Sequence, residues 1–545
     1  MILTALAVGA AGLLLPRLLA SIRSGLSLQR ALDHDRTSRH GDLHLIGSYH
    51  REHALPRRPS VSDKTWADLD MDSVFGLVDH TESEIGRQYL YDALHRPCET
   101  APDVESLDRV AAQFAKDARL TNRVRSSLRR LHDTRAAYLA PLLMGDVPDR
   151  PAFWWLFPIL SASALASMAL IAVWPQALVL WLAVCAANMC VQAFWKARVA
   201  SFLSAVHELP AFVTVASELG DLELPESEAA TRTLREGART LSGLRTATRW
   251  LMFEPGPANE LASMLYAYLN LLFLFDANAF VFSVGALQRH RTLTRALWEA
   301  IGAIDMAQSI AHWRTTRQSW CVPDLTGDAK ALDVQAIVHP LLADPVANAF
   351  TLHQRGALIT GSNMSGKTTF ARALGVNALL GQTLATVCAE SWRSPSLRVC
   401  TSIGREDSVL DGRSYYMAEV ESILQLLQAK ESGHAHLFLL DEIYRGTNTV
   451  ERVAAASAVL HALNRGDDLV VVTTHDTELI GLLGDRFSVF NFREEVGVDG
   501  LVFDYRIRPG LGSTRNAIAL LERVGYPADV VAAARAIVDS TLQAG

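Results

Sequence analysis

The chain has 545 residues, half of them hydrophobic and 20% charged, with a formal net charge of −7. That length implies two or three domains, and the charge excludes a globally basic nucleic-acid binder, leaving room only for local patches. Six cysteines, at 98, 185, 190, 321, 388 and 400, form no C-x-x-C pair. This excludes a disulfide scaffold or cysteine metal centre and points to free thiols in a reducing compartment.

Residues 1–22, "MILTALAVGAAGLLLPRLLASI", are apolar but lack a basic stretch ahead of the apolar core, so they read as a membrane anchor rather than a secretory signal. Arg17, Arg23 and Arg30 favour a cytoplasmic exit. Pro16 breaks the run, and lying on the membrane surface is the alternative to spanning it. Residues 23–64 read as a polar linker. Residues 65–150 carry apolar side chains at three- and four-residue spacing and are expected to be helical. Their basic run, Lys116, Arg119, Arg123, Arg125, Arg129, Arg130 and Arg135, is interrupted by acids and has no interleaved aromatics. It reads as a solvated helix face before a nucleic-acid surface.

Residues 151–195 contain no Asp, Glu, Lys or Arg and are bracketed by Arg150 and Lys196. About 20 apolar residues cross a bilayer, so 151–196 is expected to be a transmembrane helical hairpin turning at Trp174–Gln176. Trp154, Trp155, Trp181 and Trp195 would sit at the interfaces. Residues 197–330 are again expected to be helical, with 265–284 as one buried helix because Asn270, Asp276 and Asn278 interrupt its apolar run. From 331 to 545, strands alternate with helices, the pattern of an α/β nucleotide-binding fold.

Four short motifs in this last segment carry chemistry. "TGSNMSGKTTF", 360–370, follows an apolar strand and opens a helix. Gly361, Gly366, Lys367 and Thr368 fit G-x-x-x-x-G-K-[ST], a loop whose backbone N–H groups cradle phosphates. Lys367 would reach the β/γ-phosphates of ATP and Thr368 would ligate Mg²⁺, while the helix N-terminus faces the anion. "LFLLDEIYRGTNT", 437–449, is a buried strand ending in Asp441, a second Mg²⁺ ligand directly or through water, and Glu442, placed to polarise the attacking water. "LVVVTTHDTEL", 469–479, ends a strand at His475, within reach of the γ-phosphate or its water. "DGRSYYMAEV", 411–420, opens a helix at Ser414, either an ordinary cap or an anion site facing another subunit.

Together these motifs closely resemble the ATPase domain of the MutS mismatch-repair family, a branch of the ABC-type ATPases. "TGSNMSGKT" fits that family's loop, including Asn363 and Met364. "DEIYRGTNT", "TTHDTEL" and "GRSYYMAEV" fit its other boxes. "WADLDMDSVFGLVDHTESEIGRQYLYDALHRP", 66–97, and "AIDMAQSIAHWRTTRQSWCVPDL", 303–325, resemble segments of its core. The resemblance implies a nucleotide site of Gly361, Ser362, Asn363, Met364, Ser365, Gly366, Lys367, Thr368 and Thr369, Mg²⁺ on Thr368 and Asp441, and catalysis by Lys367, Glu442 and His475. It also implies a homodimer in which Ser414 contacts the partner's γ-phosphate. Pro345 stands where the family usually places an adenine-stacking aromatic, and Tyr505 is the substitute; Ala517 replaces a usual glycine. Nothing before residue 65 matches the family's mismatch-reading domain, and the long clamp arms have no counterpart.

The expected molecule is therefore multidomain: an α-helical MutS-core-like part with an inserted transmembrane hairpin, then an α/β P-loop ATPase. It would be a MutS-like ATPase of the inner membrane with its ATPase domain in the cytoplasm, undergoing a clamp-like change and working on double-stranded DNA. The rival expectation is a membrane-tethered, ATP-dependent scaffold acting on a protein partner.

Overall fold

The computed structural model describes residues 43–52, 60–145, 153–243, 260–362, 364–404, 415–430, 433–444, 448–497, 500–512 and 525–544. The expected anchor, 1–22, lies outside them. The chain divides into two compact units, one drawn from Met1–Ala54, Thr81–Asp92 and Asp117–Gln308, the other from Leu55–His80, Ala93–Lys116 and Ser309–Gly545.

In the second unit, a three-stranded antiparallel sheet is built from β1 (Ala331–Ile337), β2 (Asn348–His353) and β4 (Ser391–Arg393), in the order β2-β1-β4. The larger sheet uses β3 (Gly356–Thr360), β5 (Arg398–Ile403), β6 (His436–Asp441), β7 (Leu469–Thr473), β8 (Phe487–Gly497) and β9 (Gly500–Pro509), in the order β5-β6-β7-β3-β8-β9. All its neighbours are parallel except β8 and β9. "GALIT" and "LVVVT" are buried at every position and "HLFLLD" at all but its last, as expected of strands covered on both faces. The helix Lys367–Leu384 follows β3 and is buried along most of its length.

Two N-terminal pieces complete this unit. Ser62 caps the helix Asp63–Asp68 by accepting from the Thr65 N–H. Asp68 at its end is 2% exposed and accepts from the Thr401 hydroxyl at 2.8 Å and the Ile403 N–H at 3.1 Å, fixing the end of β5. Leu69 is fully buried against Gly375 of the Lys367–Leu384 helix.

The first unit is helical in its described residues, and here two expectations are corrected. Among the described residues no helix is long and apolar enough to cross a membrane, which overturns the transmembrane hairpin. Residues 151–195 do contain two helices, Leu156–Ile171 and the start of Ala177–Gly220. The first spans only about 24 Å at 1.5 Å per residue, short of a ~30 Å hydrocarbon core. Several of their polar atoms bond to protein: the Ser161 hydroxyl donates to the Phe273 carbonyl at 2.6 Å, Asn278 donates to Ser161 at 2.9 Å, and buried Asn188 donates to the Leu272 carbonyl. An uncharged apolar run is therefore not by itself a membrane span. Likewise 265–284 is not one helix: Glu260–Phe273 and Phe275–Arg289 meet at Leu274, whose φ of 51° breaks the helix. Within the expected linker, Leu43–Ile46 and Ser48–Glu52 are helical, and Tyr49 is buried with its ring 4.0 Å from that of Trp298.

The basic run is largely paired. Arg125 and Arg129 both bind Glu82, Arg130 binds Glu218, and Arg135 lies near Asp133 and Glu208. A different carboxylate organises the centre of this unit. Asp305 is fully buried and accepts from the Glu82 and Ser83 N–H groups, the Ser83 hydroxyl and the Gln308 amide. Burial outweighs these four bonds and raises its pKa from 3.8 to about 6. A carboxyl with a raised folded pKa binds protons more tightly folded than unfolded, so its contribution falls as pH rises from about 4 to 6. We expect wild-type stability to fall across that window relative to Asp305→Asn, by roughly 3 kcal/mol at most. Urea unfolding of both proteins at several pH values measures it; parallel pH profiles would contradict it.

Candidate nucleotide site

The site lies at the carboxyl ends of the central parallel strands, where open α/β sheets bind ligands. The register brings those ends level. Ile359 of β3 and Asp441 of β6 both pair with Thr473 of β7, and Ile403 of β5 pairs with Asp441. Every motif that follows one of these strands therefore opens onto the same edge.

After β3 the chain turns through Gly361 (φ 149°), Met364 (φ 70°) and Gly366 (φ 102°). Glycine is required at two of these. A Cβ on Gly361 would lie 2.9 Å from the Ser365 hydroxyl and 3.0 Å from the Phe492 carbonyl, and both φ values are unfavourable to side chains. Lys367 is 4% exposed, and its ammonium donates to the Gly361 and Ser362 carbonyls at 2.8 Å each. The lysine thus closes the loop on itself. The Ser362 hydroxyl bonds Glu494 of β8, and the Ser365 hydroxyl donates to the Ser362 carbonyl at 2.8 Å. Met364 points outward, 82% exposed.

Thr368 and Asp441 meet: the hydroxyl donates to Oδ2 at 2.9 Å, while Thr473 donates to Oδ1. A hydroxyl and a carboxylate are the hard oxygen ligands Mg²⁺ prefers, and that ion usually completes its shell with water and phosphate oxygens. Among the described residues there is no cluster of three or more His, Cys, Asp or Glu fit to hold a metal alone; Thr368 and Asp441 are the two oxygen ligands that meet here. Glu442 has a left-handed backbone, φ 50°, and its N–H donates to the Thr473 carbonyl at 3.0 Å. His475 Nε2 lies 3.0 Å from Glu442 Oε1 and 3.4 Å from Lys367 Nζ. One ring nitrogen cannot donate to the carboxylate and accept from the ammonium together. The shorter, charge-assisted contact assigns Nε2 as the donor to Glu442.

Tyr505 reaches the same loop by a bulge. Phe492 pairs with Ile507 and Glu494 with Phe503, so Asp504, Tyr505 and Arg506 together oppose Arg493. Its ring is 45% exposed and comes within 3.2 Å of where a Gly366 Cβ would stand. Asn348 pins the bulge, donating to the Tyr505 carbonyl at 3.0 Å and accepting from the Ile507 N–H at 2.8 Å.

The structure thus gathers Gly361, Ser362, Met364, Ser365, Gly366, Lys367, Thr368, Thr369, Asp441, Glu442, His475 and Tyr505 at one edge. Asn363 and Ser414 lie outside the described residues. Sequence reading did not single out Thr473, Glu494 or Asn348. Thr473 stood in the quoted "TTH" box and Asn348 lies three residues after Pro345, but Glu494 comes from a distant, unpatterned segment.

Fold and site define a P-loop nucleotide-binding α/β domain. Residues 357–542 match MutS domain V, the ATPase domain of its family. The chain is 36% identical over 215 residues to DNA mismatch repair protein MutS of Thermus aquaticus, covering 38% of this chain and 26% of that protein. With MutS of Synechococcus sp. (strain CC9311) it shares 33% identity over 270 residues, 47% of this chain and 29% of the relative. With MutS of Desulfovibrio desulfuricans it shares 32% over 254 residues, 43% and 27% respectively. The chain therefore carries a MutS domain V and matches under a third of the length of these relatives.

Proposed function

We propose that this protein is a MutS-like ATPase that works in DNA mismatch repair or a related DNA transaction. What carries the reading is the level convergence of three motifs: Lys367 and Thr368 after β3, Asp441 and Glu442 after β6, His475 after β7. In this reading ATP binds across Gly361–Thr369, with Lys367 transferred from the loop carbonyls to the phosphates and Tyr505 against the base. Thr368 and Asp441 hold Mg²⁺, which supplies charge neutralisation at the phosphates. Glu442 orients the attacking water, and His475 holds the Glu442 carboxylate in place. Phosphoryl transfer needs this positioning and charge more than covalent chemistry.

Two subunits would close on two nucleotides, each lending Ser414 to the other, and closure would drive a clamp-like change in the helical unit. We further propose a location at the cytoplasmic face of the inner membrane. The support is the exposed apolar side chains of Phe153, Trp155, Val179 and Leu182, 65%, 49%, 72% and 54% exposed, which would lie against a membrane without crossing it.

The test is Mg²⁺-dependent ATP hydrolysis together with duplex binding at low and high salt. Binding dominated by phosphate contacts falls steeply with salt. On the expectation that the mismatch-reading wedge is missing, a mismatched duplex should be preferred by no more than about threefold, below the ~1–3 kcal/mol of one good base contact. A tenfold preference would contradict this, and hydrolysis with no duplex binding at low salt would favour the scaffold acting on a protein partner.

A further inference from the structure

Beside Glu442 is a cleft lined by Glu442, Ile443, Arg452, Thr474, His475 and Asp476. Two charged residues among them, Arg452 and Asp476, have no part in the nucleotide site described above. Arg452 sits in the first turn of the helix Thr449–Leu463, which starts just beyond the Asp441–Glu442 motif and is capped by Asn448. Asp476 follows His475 in the loop after β7. The guanidinium grips that carboxylate with two bonds, Nε to Oδ2 at 2.9 Å and Nη2 to Oδ1 at 2.7 Å. The Asp476 N–H in turn donates to the Thr474 hydroxyl at 2.9 Å, and Thr474 is bound through its own N–H to the Ile359 carbonyl at 3.0 Å.

Resting on the ATPase reading, we infer that Arg452 is a positioning residue for hydrolysis: through Asp476 it fixes the loop that holds His475 against Glu442. The pair joins the element after β6 to the loop after β7, and the His475–Glu442 contact at 3.0 Å bridges the same two segments. A two-bond fork fixes orientation as well as distance, which a lysine ammonium cannot do. The pair is partly solvated, 21% and 18% exposed at its two side chains, and such pairs add little to stability. Its effect therefore belongs to geometry, where a displacement of about 1 Å can cost up to ~100-fold in rate.

The experiment compares wild type, Glu442→Gln, Arg452→Ala, Arg452→Lys, Asp476→Ala and the Arg452→Ala/Asp476→Ala double variant for ATP affinity, kcat and Tm. Expected are ATP affinity within about twofold and Tm close to wild type, with kcat reduced about tenfold in each single variant. The double variant should be no slower than the singles, because both remove the same link. Arg452→Lys should resemble Arg452→Ala. Should Arg452→Ala fail to fold, Asp476→Asn breaks the fork with less disturbance and takes its place. Wild-type kcat in Arg452→Ala, multiplying losses in the double variant, or a rate loss matched by lost affinity each overturn the inference while leaving the ATPase reading standing. A wild-type protein that hydrolyses ATP no faster than Glu442→Gln removes both.

Discussion

Lys367→Ala is expected to weaken ATP binding by about 100-fold or more. Each charge-assisted hydrogen bond from an ammonium to a phosphate is worth about 1.5–3 kcal/mol, and two of them account for that factor. Lys367 already makes two such contacts, to the Gly361 and Ser362 carbonyls at 2.8 Å, from a side chain only 4% exposed. Phosphate oxygens entering the loop would compete for the same three protons with the advantage of full negative charge. Alanine removes that charge and leaves two carbonyls facing the ligand. Lys367→Met, which keeps the apolar stem, separates the lost charge from lost packing and should bind as poorly. Equilibrium dialysis with labelled ATP measures both, and affinity within threefold of wild type would show that this loop does not hold the phosphates.

Glu442→Gln is expected to leave ATP affinity within about threefold and to slow hydrolysis at least ~100-fold, the scale on which a single preorganised polar group acts in a transition state. The substitution preserves size, and the amide oxygen can still accept from His475 Nε2 at the 3.0 Å contact. What is lost is the negative charge proposed to polarise water. The backbone at Glu442, with φ 50°, is in a region costly for a side-chain-bearing residue. The Thr473 carbonyl holds it there by accepting the Glu442 N–H at 3.0 Å. Single-turnover hydrolysis with prebound ATP isolates the chemical step. A wild-type rate in Glu442→Gln would move the base elsewhere.

The sequence by itself determined the phosphate loop, the strand-end acids and the histidine, because each is a contiguous motif. Gly361 and Gly366 are legible since only glycine accepts their φ values in so crowded a loop. "GALIT" and "LVVVT" are legible because runs without polar alternation suit strands covered on both faces. Tertiary structure alone decided the rest. The absence of charge across 151–195 reads as a membrane hairpin; only the tertiary structure showed that no described helix there is long and apolar enough to cross, and that Ser161 and Asn188 bond to the Phe273 and Leu272 carbonyls. Asp68 is one acid among many in "WADLDMD" until β5 is packed on it. Tyr505 meets the loop because of a bulge pinned by Asn348, 157 residues away, and Arg452 finds Asp476 across two strand ends. Local motifs record the conformations a short segment must adopt. Pairings between distant segments depend on sheet order and register, which no single stretch encodes.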